Sequence, residues 1–326
     1  MDLLIISSPT SDLQSMKEGG TVIQNNSDYM YKYGLHVPQN SAQARRWYQL
    51  SAEQGSMAAQ FNLGYIYQHG QGVIKNYAQA LHWYRLSAKQ GNAWAQNNLG
   101  FMYQYGQGVI QDYEQALYWY RLAASQGSAI SQNHLGIMYR EGLGVLQDYQ
   151  QALYWYRLSV DQNFALAQSE LGFMYHHGLE VPQDYEQAIY WYRLSADQGN
   201  PSGQNNLGYM YHHGLGVSQD YEQALYWYRL SVEQKDASGQ GNLGYMYQHG
   251  LGVPQDYELA LYWYHLSADQ GNMWAQNQLG FMYLNGKGVS RDYEQALYWY
   301  RLSAGQGNML AQNQLGFMYR NGLGIL

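Results

Sequence analysis

The amino-acid sequence predicts an all-α protein built from 36-residue helix-turn-helix repeats, and two recurrences carry that prediction. The dipeptide Leu-Gly recurs in steps of 36 residues, with its glycine at positions 64, 100, 136, 172, 208, 244, 280 and 316. Tryptophan recurs in the same steps, at positions 47, 83, 119, 155, 191, 227, 263 and 299. Of the ten tryptophans, only Trp94 and Trp274 fall outside this register, so we interpret the chain as one repeat array.

The first helix of each repeat is predicted from residues such as Ala95, Leu99 and Met102, whose spacing places them on one buried helical face. Gly106 follows them, and glycine readily adopts the left-handed conformation that ends many helices. A glutamine recurs beside the buried face, as Gln96 does in this repeat, and we expect it to form hydrogen bonds between repeats.

The second helix of the same repeat is predicted to begin at Asp112, which is a favourable N-cap, with Gln115 three residues later in a capping-box arrangement. Ala116 and Trp119 belong to its apolar face, and Gly127 ends it. A single helix pair of this size cannot bury its own core, so neighbouring repeats must stack. We expect the recurring tryptophans to fill the space between them.

Three residues depart from the glycine pattern of the loops. The position of Gly127 is taken by Asn163 and Lys235 in two repeats, and Glu180 replaces a loop glycine that the other full repeats keep. A left-handed backbone is costly for residues with a Cβ atom, although asparagine tolerates it. We therefore predict backbone strain at Lys235 and Glu180.

The predicted domain organisation is a loose N-terminal segment, residues 1–20, followed by a single repeat array, residues 21–326. The array comprises a degenerate first copy at 21–55, seven full copies at 56–307 and a half copy at 308–326. Because uncapped ends of repeat arrays tend to associate, we predict weak self-association through the half copy.

Composition excludes several classes of protein. The chain has no cysteine, which excludes disulfides and thiolate metal sites. Its formal charge is −7 and no basic stripe is present, so we expect no nucleic-acid partner. No apolar run approaches the length of a membrane span, and the start of the sequence lacks the basic leader of a secretory signal. We expect a cytoplasmic protein without membrane insertion, and a periplasmic or secreted location stays open.

Catalytic motifs are lacking as well. The sequence contains no Ser-x-x-Lys, no Gly-x-Ser-x-Gly, no His-Glu-x-x-His and no phosphate-binding loop. We therefore predict a protein that is not an enzyme, with no catalytic residues, no cofactor and no metal site.

One repeat, residues 95–127, reads AQNNLGFMYQYGQGVIQDYEQALYWYRLAASQG. This pattern resembles the Sel1-like repeat family, whose members are related to tetratricopeptide repeat proteins. The resemblance implies a right-handed α/α superhelical solenoid that acts as an adaptor and holds another protein or peptide. It also implies that the first helices line the concave surface.

On that surface the residues opposite the buried face form two rows, one rich in asparagine and one in aromatic rings. The candidate binding residues are Trp94, Asn97, Phe101, Asn133, Phe173, Asn205, Tyr209, His213, Tyr245, His249, Trp274, Asn277 and Phe281. Amides can pair with the backbone of an extended peptide, and rings can cover its side chains. Two alternatives stay open: the rows could serve packing and bonding between repeats, or the surface could bind a glycan or peptidoglycan fragment.

Two further patterns concern charge. The histidine pairs in MYHHGLEV and MYHHGLGV, at 176–177 and 212–213, end first helices, where protonated side chains favour the helix dipole. We interpret them as helix stops and not as metal ligands. Acidic residues recur near the end of the second helix, at Glu53, Asp161, Asp197, Glu233 and Asp269. We interpret them first as a solvated edge of the helix, and a basic partner or pairing with Arg or Lys of a neighbouring repeat stays open as the alternative.

Overall fold

The computed structural model describes residues 41–324, and this range contains sixteen α-helices and no strand. The helices are α1 Ser41–Glu53, α2 Met57–His69, α3 Tyr77–Lys89, α4 Ala93–Tyr105, α5 Tyr113–Ser125, α6 Ala129–Glu141, α7 Tyr149–Val160, α8 Ala165–His177, α9 Tyr185–Asp197, α10 Pro201–His213, α11 Tyr221–Glu233, α12 Ala237–His249, α13 Tyr257–Asp269, α14 Met273–Asn285, α15 Tyr293–Gly305 and α16 Met309–Arg320. Even-numbered helices are the first helices of repeats. The predicted all-α repeat fold is confirmed.

The chain divides into two compact units, Met1–Ser159 and Val160–Leu326. Within each unit a helix packs on the helix before it and on the helix after it, as α11 does on α10 and α12. The predicted loose segment and the start of the degenerate first copy lie outside the described residues, so those boundaries stay predictions. In the part of the chain that the structure describes, no helix is long and apolar enough to cross a membrane.

The helix ends follow the residues that predicted them. Asn92 precedes α4 and accepts a hydrogen bond from the backbone N of Ala95 at 3.0 Å, and Gly106 ends α4 with φ 64°. Asp112 caps α5 in the same way, through the backbone N of Gln115 at 3.0 Å. These bonds satisfy backbone N–H groups that have no partner inside the helix.

The three exceptional loop residues have the predicted backbone. Asn163, Glu180 and Lys235 are the non-glycine residues with positive φ in the described range, at 58°, 53° and 63°. In the second unit, the loop position of Glu180 is otherwise held by glycines such as Gly216, where an added Cβ would lie 2.7 Å from the Cβ of Tyr185. Crowding therefore adds to conformational strain at this loop position.

Replacing Glu180 by glycine should raise the free energy of unfolding by about 1 kcal/mol, because glycine adopts positive φ without a Cβ clash. Thermal unfolding followed by circular dichroism measures the effect. The reverse change in an equivalent loop, Gly216→Glu, is the control and should lower the melting temperature. A Glu180→Gly protein that melts at or below the temperature of the parent would contradict this account.

The core explains the recurring Leu-Gly dipeptide. In each full repeat a tyrosine of the second helix lies over the glycine of the first helix, so that an added Cβ on Gly208 would lie 2.8 Å from Cδ1 of Tyr228. These tyrosines are at most 2% exposed, and they are Tyr84, Tyr120, Tyr156, Tyr192, Tyr228, Tyr264 and Tyr300. As predicted, tryptophans pack against the preceding repeat, for example Trp83 in the first unit and Trp227 in the second.

The recurring glutamines form the predicted hydrogen bonds between repeats. Gln96 donates to the backbone O of Ala88 at 3.2 Å and accepts a bond from Gln126 of the next second helix at 2.7 Å. The second unit repeats this arrangement, since Gln234 donates to Gln204 at 2.9 Å. A buried amide that bonds on both sides fixes the register between successive helices.

Candidate functional site

The asparagines predicted to face a ligand are buried, namely Asn97, Asn133, Asn205 and Asn277. Asn97 accepts a hydrogen bond from Ser131 Oγ at 2.9 Å, and Asn205 accepts one from Asn242 Nδ2 at 2.8 Å. Both bonds join first helices of adjacent repeats. For Asn97 and Asn205 the structure thus shows the bonding between repeats that the sequence left open as an alternative.

The predicted rings are more accessible than the asparagines. Trp94, Tyr209, Phe281, His213 and His249 are exposed, whereas Phe101, Phe173, Tyr245 and Trp274 are half-buried. In the first unit Phe101 contacts Tyr105 and His134, with ring centroids 4.5 and 6.4 Å apart. The first unit has further contacting rings, such as Tyr65 and His69 with centroids 4.1 Å apart.

The second unit carries a longer series of contacting rings, which we call the aromatic row. It consists of Phe173, His176, His177, Tyr209, His212, His213, Tyr245, His249 and Trp274. The helices α8, α10 and α12 each contribute an aromatic ring and a histidine one turn later, as in Tyr209 and His213, whose centroids are 4.2 Å apart. The row thus follows α8, α10, α12 and the start of α14.

Contacts between repeats make the row continuous within the second unit. His176 lies 5.9 Å from Tyr209 of the next first helix, and His212 lies 5.6 Å from Tyr245. Tyr245 in turn lies 5.9 Å from Trp274. The paired histidines stack on each other, with His212 and His213 centroids 4.3 Å apart and 11° from parallel.

Sequence reasoning missed His176 and His212 as members of this row. The hydroxyl of Tyr228 lies 3.3 Å from Nδ1 of His212, and that of Tyr192 lies 3.5 Å from Nδ1 of His176. In three other repeats the same position is a glutamine, Gln68, Gln104 or Gln248, and Gln68 accepts the bond from Tyr84 at 2.7 Å. The alternation of glutamine and histidine at this position could have predicted the contact, because both side chains can accept a hydrogen bond from a tyrosine hydroxyl.

The electrostatics of His212 limit one sequence-based interpretation. His212 is 6% exposed, and burial, followed by the nearby His213 and His249, lowers its pKa to about 4. Burial also lowers the pKa of His213 and of His249 below the usual value. His212 is therefore neutral at pH 7, so the favourable interaction of a protonated side chain with the helix dipole does not arise there at that pH.

An open cavity of about 440 Å³ lies along the aromatic row. Its lining residues are Tyr209, His212, His213, Ser238, Asn242, Tyr245, Asn272 and Trp274. The lining combines three large rings with a few hydroxyl and amide groups, which is a common composition of ligand-binding clefts. None of these side chains is an acid, a lysine or an arginine.

Because Gly241 has no side chain, the Trp274 ring can pack against the other rings of the aromatic row. An added Cβ on Gly241 would lie 3.3 Å from Cε3 and Cζ3 of Trp274, whose ring also contacts Tyr264 at 5.7 Å. Trp94 occupies the same repeat position in the first unit, where Phe61 stands at the equivalent of Gly241. Trp94 is 63% exposed, so the two tryptophans outside the main register differ in their packing.

The charged side chains of the second helices differ in their contacts. Arginines donate hydrogen bonds to tyrosines of the following helix, as Arg85 does to Tyr103 at 2.7 Å. Asp197 and Glu233 are exposed, and no ion pair to either is present among the described residues. In that same part of the chain no three His, Asp or Glu side chains come together as a metal site.

Comparison with known proteins places the chain in a family. The sequence profile of the Sel1 repeat matches residues 27–56, 58–92, 95–128, 129–164, 165–200, 201–236, 237–272, 275–308 and 310–326. The chain belongs to the Sel1 repeat family. Sel1 repeat proteins are generally protein-interaction scaffolds, and the family is typically non-catalytic.

Solved structures agree with this assignment. The chain is 40% identical to c5321, a protective antigen of uropathogenic Escherichia coli strains that displays an SLR fold, with a TM-score of 0.69. That match covers 95% of this chain and 67% of c5321. A Sel1 repeat protein from Oxalobacter formigenes is 29% identical, with a TM-score of 0.62, and the match covers 95% of this chain and 92% of that protein.

A more distant structure shares the fold alone. The immunity protein PA5088 from Pseudomonas aeruginosa is 19% identical, with a TM-score of 0.51, over 66% of this chain and 83% of that protein. No curated protein matches the chain significantly. The predicted family resemblance and α-solenoid fold are confirmed.

Proposed function

We propose that this chain is a non-catalytic scaffold that binds a segment of another protein along the aromatic row. This proposal rests on the continuity of the aromatic row across four first helices of the second unit. Tyrosine and tryptophan contribute most to protein-binding interfaces, and the row offers Tyr209, Tyr245 and Trp274 along one open cavity.

The polar groups beside the rings suit a peptide backbone. Ser238, Asn242 and Asn272 line the same cavity as Tyr209 and Trp274. Their hydroxyl and amide groups can form hydrogen bonds with backbone N–H and C=O groups, while the rings cover apolar parts of side chains. Since no lysine or arginine lies in the lining, a terminal carboxylate is not the predicted ligand.

Removing three rings of the row should abolish partner capture. The variant Tyr209→Ala/Tyr245→Ala/Trp274→Ala should weaken binding at least 100-fold, since one central interface ring is worth about 2 kcal/mol or more. In-cell crosslinking followed by mass spectrometry measures which proteins are captured. The matched control is Tyr226→Ala/Tyr262→Ala/Tyr298→Ala, because these outer-helix tyrosines are 51–55% exposed and lie outside the row.

Two outcomes would contradict the proposed function. Equal capture by the parent, the row variant and the outer-helix control would show that the row is not the binding surface. Binding of a soluble oligosaccharide at the row, without any captured protein, would favour the glycan-binding alternative. Circular dichroism of both variants separates loss of binding from loss of fold.

A second proposal concerns α16. Met309, Leu310 and Phe317 expose apolar side chains on this helix. We propose that residues 308–326 mediate weak self-association through this surface. Light scattering at increasing concentration should show a rising mean mass that Leu310→Lys and Phe317→Lys reduce, and a constant monomer mass would refute the proposal.

A further inference from the structure

Three aromatic rings surround one cavity in the second unit. Tyr209, Tyr245 and Trp274 line the same space of about 440 Å³, and the Tyr245 and Trp274 rings are 5.9 Å apart and inclined at 47°. Rings that are inclined to one another and line a common space can together contact one guest. Such an arrangement attracts a cation, because the face of an aromatic ring carries partial negative charge.

Charge distribution along the sequence favours a cationic guest at this unit. Residues 160–326 contain seven Lys or Arg and fifteen Asp or Glu, a net charge of −8. Residues 1–159 contain ten Lys or Arg and nine Asp or Glu, a net charge of +1. The second unit therefore attracts cations from solution. The exposed Asp197 and Glu233 belong to this excess of acidic residues.

The cavity itself holds no competing positive charge at neutral pH. Its two histidines, His212 and His213, have pKa values lowered by burial, and that of His212 is about 4. Nδ1 of His212 lies beside the hydroxyl of Tyr228, which fixes the ring in the wall of the cavity. The lining is thus neutral and aromatic within an acidic unit.

The glycine at position 241 is explained by its contact with a ring of this cavity. The repeat position of Gly241 is otherwise filled by larger residues, namely Phe61, Asn97, Asn133, Ser169, Asn205, Asn277 and Asn313. Glycine inside a helix weakens it. At this position it leaves the space into which the Trp274 ring packs, since a Cβ there would lie 3.3 Å from that ring.

We propose that the cavity between Tyr209, Tyr245 and Trp274 receives the positively charged side chain, arginine or lysine, of the bound protein segment. This inference rests on the proposed function and names the chemistry of the partner at one position. The rings supply the attraction to the cation, and Ser238, Asn242 and Asn272 supply hydrogen-bonding groups at the cavity wall. Arginine is the more frequent partner of aromatic faces.

Fluorine NMR of the full chain labelled with 5-fluorotryptophan tests the proposal at a single residue. The probe is N-acetyl-arginine amide, and its neutral counterpart is N-acetyl-citrulline amide, which has nearly the same shape. The arginine probe should shift the Trp274 resonance saturably, and citrulline should bind about tenfold more weakly, given typical cation–π energies. Potassium chloride at matched concentration controls for ionic strength.

Three variants make the assignment specific. Trp274→Ala should abolish binding of the arginine probe, measured by isothermal titration calorimetry because this variant lacks the Trp274 resonance. Trp94→Ala should leave binding unchanged because Trp94 lies in the other unit. Gly241→Asn keeps all three rings but crowds Trp274, and it should weaken binding about tenfold. Equal affinity for arginine and citrulline, or a stronger response to chitotriose, would overturn the cationic assignment.

Failure of this inference differs from failure of the proposed function. If the row variant loses its captured partner while the arginine probe never shifts Trp274, only the cationic chemistry is wrong. If the probe binds but no protein is captured through the row, the cavity binds cations and the scaffold function is wrong.

Discussion

Replacing Tyr228 by alanine should lower the free energy of unfolding by about 3–5 kcal/mol, the range measured for removal of a large buried aromatic side chain. Tyr228 is fully buried, and its ring lies directly over Gly208 of α10. Because Gly208 has no side chain, it cannot fill the cavity that loss of the ring would leave. Chemical denaturation followed by circular dichroism measures the loss.

Two control variants divide this effect into its parts. Tyr228→Phe keeps the ring but removes the hydroxyl beside His212, and it should cost only about 1 kcal/mol, typical of one hydrogen bond. Tyr226→Ala removes an exposed tyrosine of the same helix and should cost less than Tyr228→Ala. Equal losses for Tyr226→Ala and Tyr228→Ala would show that burial over Gly208 is not the cause.

The loss should also be local. In a repeat array each repeat contacts its neighbours, so a defect in α11 weakens the adjacent helices first. Hydrogen exchange should therefore quicken in α10, α11 and α12 before it quickens in α15. Uniform exchange throughout residues 160–324 would indicate that the second unit unfolds in a single step.

Local features of the fold could be predicted because their causes lie a few residues apart. The N-cap of α5 depends on Asp112 and its neighbour Gln115, and the positive φ of Glu180 depends on a position that is otherwise glycine. Each such feature is also supported by several repeats, since the same pattern recurs every 36 residues. Helix ends, capping residues and loop strain were therefore readable from the sequence.

Features of the candidate site were less readable because they depend on pairs of distant residues. The buried state of Asn205 follows from Asn242, 37 residues later. His212 is placed by Tyr228 in another helix, and Trp274 packs inward because Gly241, in the preceding repeat, has no side chain. A periodic sequence pattern predicts which face of a helix is buried. It does not predict which distant residue contacts a particular side chain on that face.

Replacing His212 by glutamine should make the protein more resistant to acid. The pKa of His212 is about 4 in the folded chain, against 6.5 for an unperturbed histidine. Between these values the unfolded state binds a proton that the folded state does not, so stability falls as pH falls from 6.5 to 4. His212 should account for about 3 kcal/mol of that loss, and above pH 6.5 it should contribute no pH dependence.

Glutamine is the matched replacement because the chain already uses it at this position. Gln68 and Gln248 each accept a hydrogen bond from the equivalent buried tyrosine at 2.7 Å, so His212→Gln should keep the bond to Tyr228. Denaturation at pH 7 and pH 4.5 gives the loss for each protein, and subtraction removes the carboxylate contributions common to both. The exposed His82, changed to glutamine, serves as the control. If the parent and His212→Gln lose equal stability on acidification, the neutral imidazole at the wall of the cavity is not what makes the second unit sensitive to acid.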